Sequence, residues 1–266
     1  MRPRAVLLAV VLVLAGCSTF GGPSDPGKTV TPAPVPSPET PTPTETPEPD
    51  DEESVPPLTL AAGTEVSADR LARNHLAALR NRSYRMTTRH HRVVTVNGTV
   101  TRRVVQTERI WVVNATYRYD IARTTTAANS TERYNRSVYA DENGARMRVD
   151  SNTGSQVFEL DAVGGSERFA AASAERVRRY LTNPEQSVIE RDGRFLIRGE
   201  GSSHPDQTFT TNNVVRAVVE PNGLVRSLTA SYEERARVGP RQVTESFTVV
   251  DAERVPEPDW LNGTES

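Results

Sequence analysis

From residue 58 onward the apolar positions switch between two spacings. Over Ser67–Asn81 they recur every three to four residues. Leu71, His75 and Leu79 share one face with Ala72 and Leu76 alongside, and Ser67 stands where a helix N-cap belongs. The spacing then drops to two. Tyr84–Val96 reads as a strand, and Asn97-Gly98 after it is the strongest hairpin signal in the chain. A two-residue turn there pairs Val96 with Thr99, Val94 with Thr101, His90 with Val105 and Tyr84 with Trp111. One face is then expected to carry Tyr84, Met86, Val94, Val96, Val105 and Trp111. Thr116–Arg123 places Tyr117, Tyr119 and Ile121 on one side and Arg118 and Asp120 on the other. Asn143-Gly144 and Asn152-Thr153-Gly154 mark later turns. Helical spacing returns over Ser166–Leu181, with Phe169, Ala170, Ser173, Val177, Tyr180 and Leu181 as the inner stripe and Asn183-Pro184 as the stop. Strands resume with turns at Asp192-Gly193, Asn222-Gly223 and Gly239-Pro240, and the last strand covers Gln242–Val250. From Pro256 a loose tail follows, tacked down by Trp260.

The order is helix, five or six strands, helix, about five strands, with tight turns between neighbours. It predicts an α+β domain over residues 58–255: one large curved antiparallel β-sheet, a half-barrel, covered by about two α-helices, with residues 256–266 as a C-terminal tail. Two short helices are small cover for so large a sheet, so a hollow lined by apolar side chains is expected. Its candidate lining is Tyr84, Met86, Trp111, Tyr117, Tyr119, Ile121, Phe169 and Val177.

The first 57 residues follow other rules. Arg2 and Arg4 precede the apolar run Ala5–Ala15, eleven residues where a bilayer span needs about 20. Leu14-Ala15-Gly16-Cys17 closes that run with small residues and the only cysteine of the 266 residues. This is the layout of a signal peptide, residues 1–16, followed by a thiol available for lipid. The motif resembles the lipobox of prokaryotic lipoproteins, and the resemblance implies that Cys17 is lipidated and becomes the mature N-terminus. Each acyl or isoprenoid CH2 buried in the bilayer contributes about 0.8 kcal/mol to attachment, so two chains hold a protein there. Residues 18–57 hold 12 of the 19 prolines among Thr, Ser and Glu. The expectation for 17–57 is a lipidated cysteine and a disordered stalk, reaching roughly 120 Å at ~3.1 Å per residue.

Charge is unevenly shared. Residues 18–57 contain eight acids and one base, Lys28, whereas residues 58–266 contain 26 acids and 29 arginines. The overall charge of −2 argues against a nucleic-acid partner, and a single cysteine excludes an internal disulfide or a Cys-rich zinc site. Six Asn-X-Ser/Thr sequons, at Asn81, Asn97, Asn114, Asn129, Asn135 and Asn262, are candidate glycosylation sites on an exported chain.

The lipobox, the acidic Pro/Thr stalk, the run His75-Leu76-Ala77-Ala78-Leu79 through Ser83-Tyr84, the Asn97-Gly98 hairpin and the scattered sequons resemble the uncharacterised lipoproteins of haloarchaea. The element order is also similar to the LolA/LppX-type lipoprotein and lipid carriers, a half-barrel closed by helices. That similarity implies an acyl or isoprenoid chain bound in the hollow.

No catalytic arrangement emerges. His90 and His91 are strand neighbours and point to opposite faces, so they do not chelate together. His75 lies toward the core, and His204 sits in a loop before Pro205. Asp150-Ser151-Asn152-Thr153-Gly154 begins like a calcium loop but has Ser155 at the sixth position and Asp161 at the twelfth, and reads as a hairpin turn. The adjacent Glu233 and Glu234 are expected to face solvent or the sheet's rim. There is no nucleophile elbow, phosphate loop or dinucleotide fingerprint, and no metal or cofactor is expected. The functional expectation is a non-catalytic lipoprotein on the extracellular face of the cytoplasmic membrane, anchored through Cys17 and binding an apolar, lipid-like ligand. The alternative is an envelope structural or protein-interaction module that fills the hollow with its own side chains.

Overall fold

A computed structural model describes residues 60–160, 165–182, 185–201, 210–236 and 239–261. The expectations for Cys17, the signal and stalk, Asn183-Pro184, His204 and Asn262 fall outside these residues.

The elements run α1 (Ala68–Arg80), β1 (Tyr84–Val96), β2 (Thr99–Val113), β3 (Thr116–Ala127), β4 (Ser130–Asp141), β5 (Gly144–Ser151), β6 (Gly154–Leu160), α2 (Glu167–Leu181), β7 (Glu185–Arg191), β8 (Arg194–Gly201), β9 (Thr210–Val219), β10 (Val225–Ala236) and β11 (Gly239–Asp251). A 3-10 turn, Asp259–Leu261, ends the described chain. The strands form one antiparallel sheet in the order β6-β5-β4-β3-β2-β1-β11-β10-β9-β8-β7. Two meanders are thus joined where β1 pairs with β11, and α2 carries the chain from one edge of the sheet to the other. The sheet does not close, and β6 and β7 are its edges. The α+β architecture of a large curved antiparallel sheet under two helices is the one expected.

Local chemistry accounts for the helices. Ser67 caps α1, its Oγ accepting from the Arg70 N–H at 3.3 Å; Asp69 sits in the first turn and Arg80 in the last, so both charges complement the helix dipole. Leu71, His75 and Leu79 are fully buried, as the spacing requires, and so is the stripe Phe169, Ala170, Ser173, Val177, Tyr180 and Leu181 on α2. The two helices pack side by side on one face of the sheet, against Tyr84, Met86, Ile110, Phe247, Leu228 and Val249. Burying each such side chain contributes about 1.5–3 kcal/mol.

Two sequence expectations need correction. The Asn97-Gly98 turn pairs Val96 with Thr99 and Thr95 with Val100, but Val94 then faces Arg102, not Thr101. Thr101 is an extra residue in β2, a bulge, and its Oγ1 donates to the Val94 carbonyl at 3.3 Å. From there the register is shifted by one, and a one-residue shift exchanges the two faces of a strand. Tyr84 therefore faces Val112, and Ile110 and Val112 turn to the helices. Trp111 turns to the opposite, outer face, under the Arg118 guanidinium at 5.4 Å, while Val105 is 41% exposed. The second correction concerns Gly239-Pro240. These residues begin β11 and pair with Ala236 and Arg235. At φ +129° a Cβ on Gly239 would lie 2.5 Å from the Thr95 carbonyl oxygen, so only glycine fits.

Candidate functional site

With the register known, the helix-side face of the sheet can be followed row by row across β3, β2, β1 and β11. The first rows are apolar: Tyr117, Val112 and Tyr84, then Tyr119, Ile110, Met86 and Val249. The next is Ile121, Glu108, Thr88 and Phe247, and from there the character changes. Arg123, Gln106, His90 and Glu245 form one row; Thr125, Val104, Arg92 and Val243 the next; then Arg102, Val94 and Arg241. One face of one sheet is thus divided between an apolar half under the helices and a charged half beyond them.

The apolar half is packed, apart from a recess of about 220 Å³ at its end that Leu79, Tyr84, Val112 and Ala170 help to line. Tyr84, Met86 and Val177 are at most 1% exposed, and Tyr117 and Phe169 are buried beside them. The Phe169 ring stands 5.2 Å from both Tyr117 and Tyr119, edge-on to the first. Ile121 is half-buried at the border of the two halves. Seven of the eight candidate hollow residues thus share the helix-side face or pack onto it, and Trp111 alone is on the other side. Two polar groups are built into this packing. His75 accepts the Val225 backbone N–H on Nδ1 at 3.1 Å and lies 2.8 Å from the Ser173 hydroxyl through Nε2. Burial lowers its pKa to about 3, so the ring is neutral. The Tyr84 hydroxyl is buried without a hydrogen-bond partner, and burial pushes its pKa up.

Arg176 of α2 separates the halves. Its Nε lies 3.2 Å from Glu245 Oε1 and its Nη2 3.3 Å from Glu108 Oε2. Tyr180 donates to Glu245 Oε2 at 2.6 Å, and His90 Nδ1 lies 3.6 Å from the same oxygen. Gln106 donates to Glu108 at 2.8 Å. Burial alone would raise the Glu245 pKa. The hydrogen bonds from His90 and Tyr180 and the Arg176 charge outweigh it and hold the carboxyl at about 2. The same neighbourhood pushes the Tyr180 hydroxyl up, through burial first and the Glu245 charge second.

Beyond this floor opens a basin of about 520 Å³. Five arginines line it, Arg92, Arg102, Arg123, Arg176 and Arg241, against two carboxylates, Glu108 and Glu245. Arg241 lies 3.9 Å from Glu234. That glutamate, expected at solvent or the sheet's rim, stands near the end of β10 opposite Arg241 and is buried at 9% exposure, so its solvent-facing alternative does not hold. Arg92, Arg102 and Arg123 have no carboxylate partner among the described residues, and the Nε atoms of Arg92 and Arg241 are buried with no hydrogen-bond acceptor. Sequence reasoning missed this site because its cations come from four strands and a helix and share no motif.

Of the sequons, Asn81, Asn97, Asn114, Asn129 and Asn135 are all exposed. Asn97 and Asn114 occupy turn positions with φ +50° and +53°. Asn81 and Asn114 line one recess at the sheet end nearest the α2 N-terminus, and Asn135 lies on the outer face beside Trp260. The segment after β11 lies on that outer face: Arg118 donates to the Pro256 carbonyl at 3.2 Å, and Pro258 is buried. Arg148 and Ser155 hold Asp150 at the turn that resembles a calcium loop, and no metal-ligand cluster occurs among the described residues.

The chain matches no protein-family model and no curated relative. Among solved structures it is similar to an N-terminal dehydratase from the difficidin assembly line, at 12% identity over 70% of this chain and 83% of that one, with a TM-score of 0.15. It is similar also to the Pseudomonas aeruginosa MucA/MucB complex, at 11% identity over 70% of this chain and 94% of that one, with a TM-score of 0.12. Likenesses this distant carry neither activity nor ligand to this chain.

Proposed function

We propose that this chain is a non-catalytic, lipid-anchored module on the extracellular face of the cytoplasmic membrane, held there by Cys17, which meets a partner through the uncovered half of its sheet. The observation that carries the reading is the division of the helix-side face. Under α1 and α2 the space where an apolar ligand was expected is occupied by Tyr84, Met86, Phe169 and Val177 themselves. Past Arg176 the same face is open and charged. An acyl chain would have to displace a packed helix stripe, at about 1.5–3 kcal/mol for each large side chain returned to water. A polar partner needs no such displacement. The apolar-ligand reading keeps the support of the candidate residues' shared face and of the similarity to lipid carriers in element order.

Two experiments test the proposal. Cys17→Ser should move the protein out of the membrane fraction or leave it unprocessed, and an intact mass with an unmodified Cys17 in the wild type would contradict the anchor. Crosslinking on intact cells should capture a recurrent neighbour through residues around the basin. Capture through the outer face alone would contradict the assigned interaction face.

A further inference from the structure

We infer that the basin beyond Arg176 binds a tetrahedral oxyanion, the phosphate or sulfate group of an ester. The inference deepens the proposed function by naming what the uncovered face recognises. Three observations carry it. First, charge is unbalanced: the two carboxylates of the basin are already bound to Arg176, Tyr180 and Gln106, so neither is left to serve Arg92, Arg102 or Arg123. Second, the N–H groups at Arg92 Nε and Arg241 Nε are buried and unpaired. A buried donor without an acceptor is costly, and most such groups in folded proteins have a partner. An occupant with several acceptor oxygens supplies it. Third, the cations are guanidinium groups, whose planar forks match the oxygens of phosphate and sulfate, and the chain has 31 arginines and one lysine.

The size of the basin narrows the class. At about 520 Å³ it falls within the range of small-molecule sites and holds more than a bare ion. Apart from Val94 and Val104 its wall is polar, with Thr88, His90 and Gln106 among the lining residues. A phosphorylated or sulfated sugar fits this chemistry, whether free or as the headgroup of a lipid whose chains stay in a membrane.

The test uses the full chain carrying Cys17→Ser, so that the anchor does not itself bind vesicles. Glucose 6-phosphate is titrated by calorimetry with glucose as the uncharged comparator, and vesicles of phosphatidylcholine with and without phosphatidylglycerol are pelleted in parallel. The expected result is saturable one-to-one binding of glucose 6-phosphate and none of glucose. Affinity should weaken about tenfold or more in R92Q/R123Q, as loss of charge-assisted hydrogen bonds requires, and stay unchanged in R146Q on the outer face. Binding of the free ester with no vesicle retention assigns a soluble ligand, and vesicle retention lost in R92Q/R123Q assigns a headgroup. If R92Q/R123Q does not fold, the exposed Arg102→Gln answers the same question. Absence of binding by both probes, or equal weakening in R146Q, overturns the inference. Because binding is read on the purified chain, its failure leaves the membrane and crosslinking results standing, and their failure leaves this one.

Discussion

Acidification from pH 6.5 to 4.5 should destabilise the domain through one side chain, His75. The ring is fully buried, and its acceptor nitrogen, Nδ1, is taken by the Val225 backbone N–H at 3.1 Å. A proton on Nδ1 would break that bond and place a charge against Phe247, whose ring centroid is 5.9 Å away. Burial therefore sets the folded pKa at about 3, against an ordinary value of 6.5. Because the folded value is the lower one, the unfolded chain takes up the proton first. The neutral ring's full contribution is present above pH 6.5 and declines as the pH falls toward 3. At about 1.4 kcal/mol per pH unit per proton, the two units from 6.5 to 4.5 remove about 2–3 kcal/mol. Glu245 acts lower: its folded pKa of about 2 lies below the ordinary 4.5, so its stabilisation is intact above pH 4.5 and is lost beneath it. The interval 4.5–6.5 is thus where His75 acts apart from Glu245. Urea unfolding followed by tryptophan fluorescence at half-unit pH steps reads the slope. His75→Gln, which keeps a donor and an acceptor but does not titrate, should be less stable at pH 7 and flat across the interval. A flat wild type, or equal slopes in both proteins, would refute the reasoning.

Two further substitutions probe the packing. Tyr180→Phe removes the 2.6 Å hydrogen bond to the Glu245 carboxylate. It should cost about 1.5–3 kcal/mol at pH 7 by chemical denaturation, and a loss below 0.5 kcal/mol would show that this bond contributes little to the boundary between the two halves. Gly239→Ala places a methyl 2.5 Å from the Thr95 carbonyl oxygen at φ +129°, so the melting temperature should fall by several degrees for a loss of about 1–3 kcal/mol; an unchanged melting temperature would contradict the close approach of β11 to β1.

Much of the architecture is legible in the sequence, because each element carries its own local signal. The α1 and α2 stripes have uninterrupted helical spacing, and Asn97-Gly98 and Asp192-Gly193 are turns whose φ angles are positive at both residues. The extra residue Thr101 is not legible by turn counting, which assumes a continuous ladder. A usable signal was nevertheless present: shifting β2 by one residue brings both Ile110 and Val112 beside Tyr84 and Met86, at the loss of Val105 and Trp111 from that face. The charged basin was hidden for a related reason. Its arginines at 92, 102, 123, 176 and 241 become neighbours only after three strand registers and the direction of α2 are known. Read along β1 alone, the helix-side positions Tyr84, Met86, Thr88, His90 and Arg92 already show the passage from apolar to charged, but a single strand does not reveal what faces them.

The account rests on the space under α1 and α2 being filled by the chain's own side chains. Its most direct test is solvent extraction of the natively purified full chain, followed by mass spectrometry of the extract and of the intact protein. The predicted result is lipid covalently attached at Cys17 and no non-covalent lipid at one copy per chain. Recovery of one lipid molecule per chain, lost when Val177→Trp enlarges the α2 stripe, would contradict it.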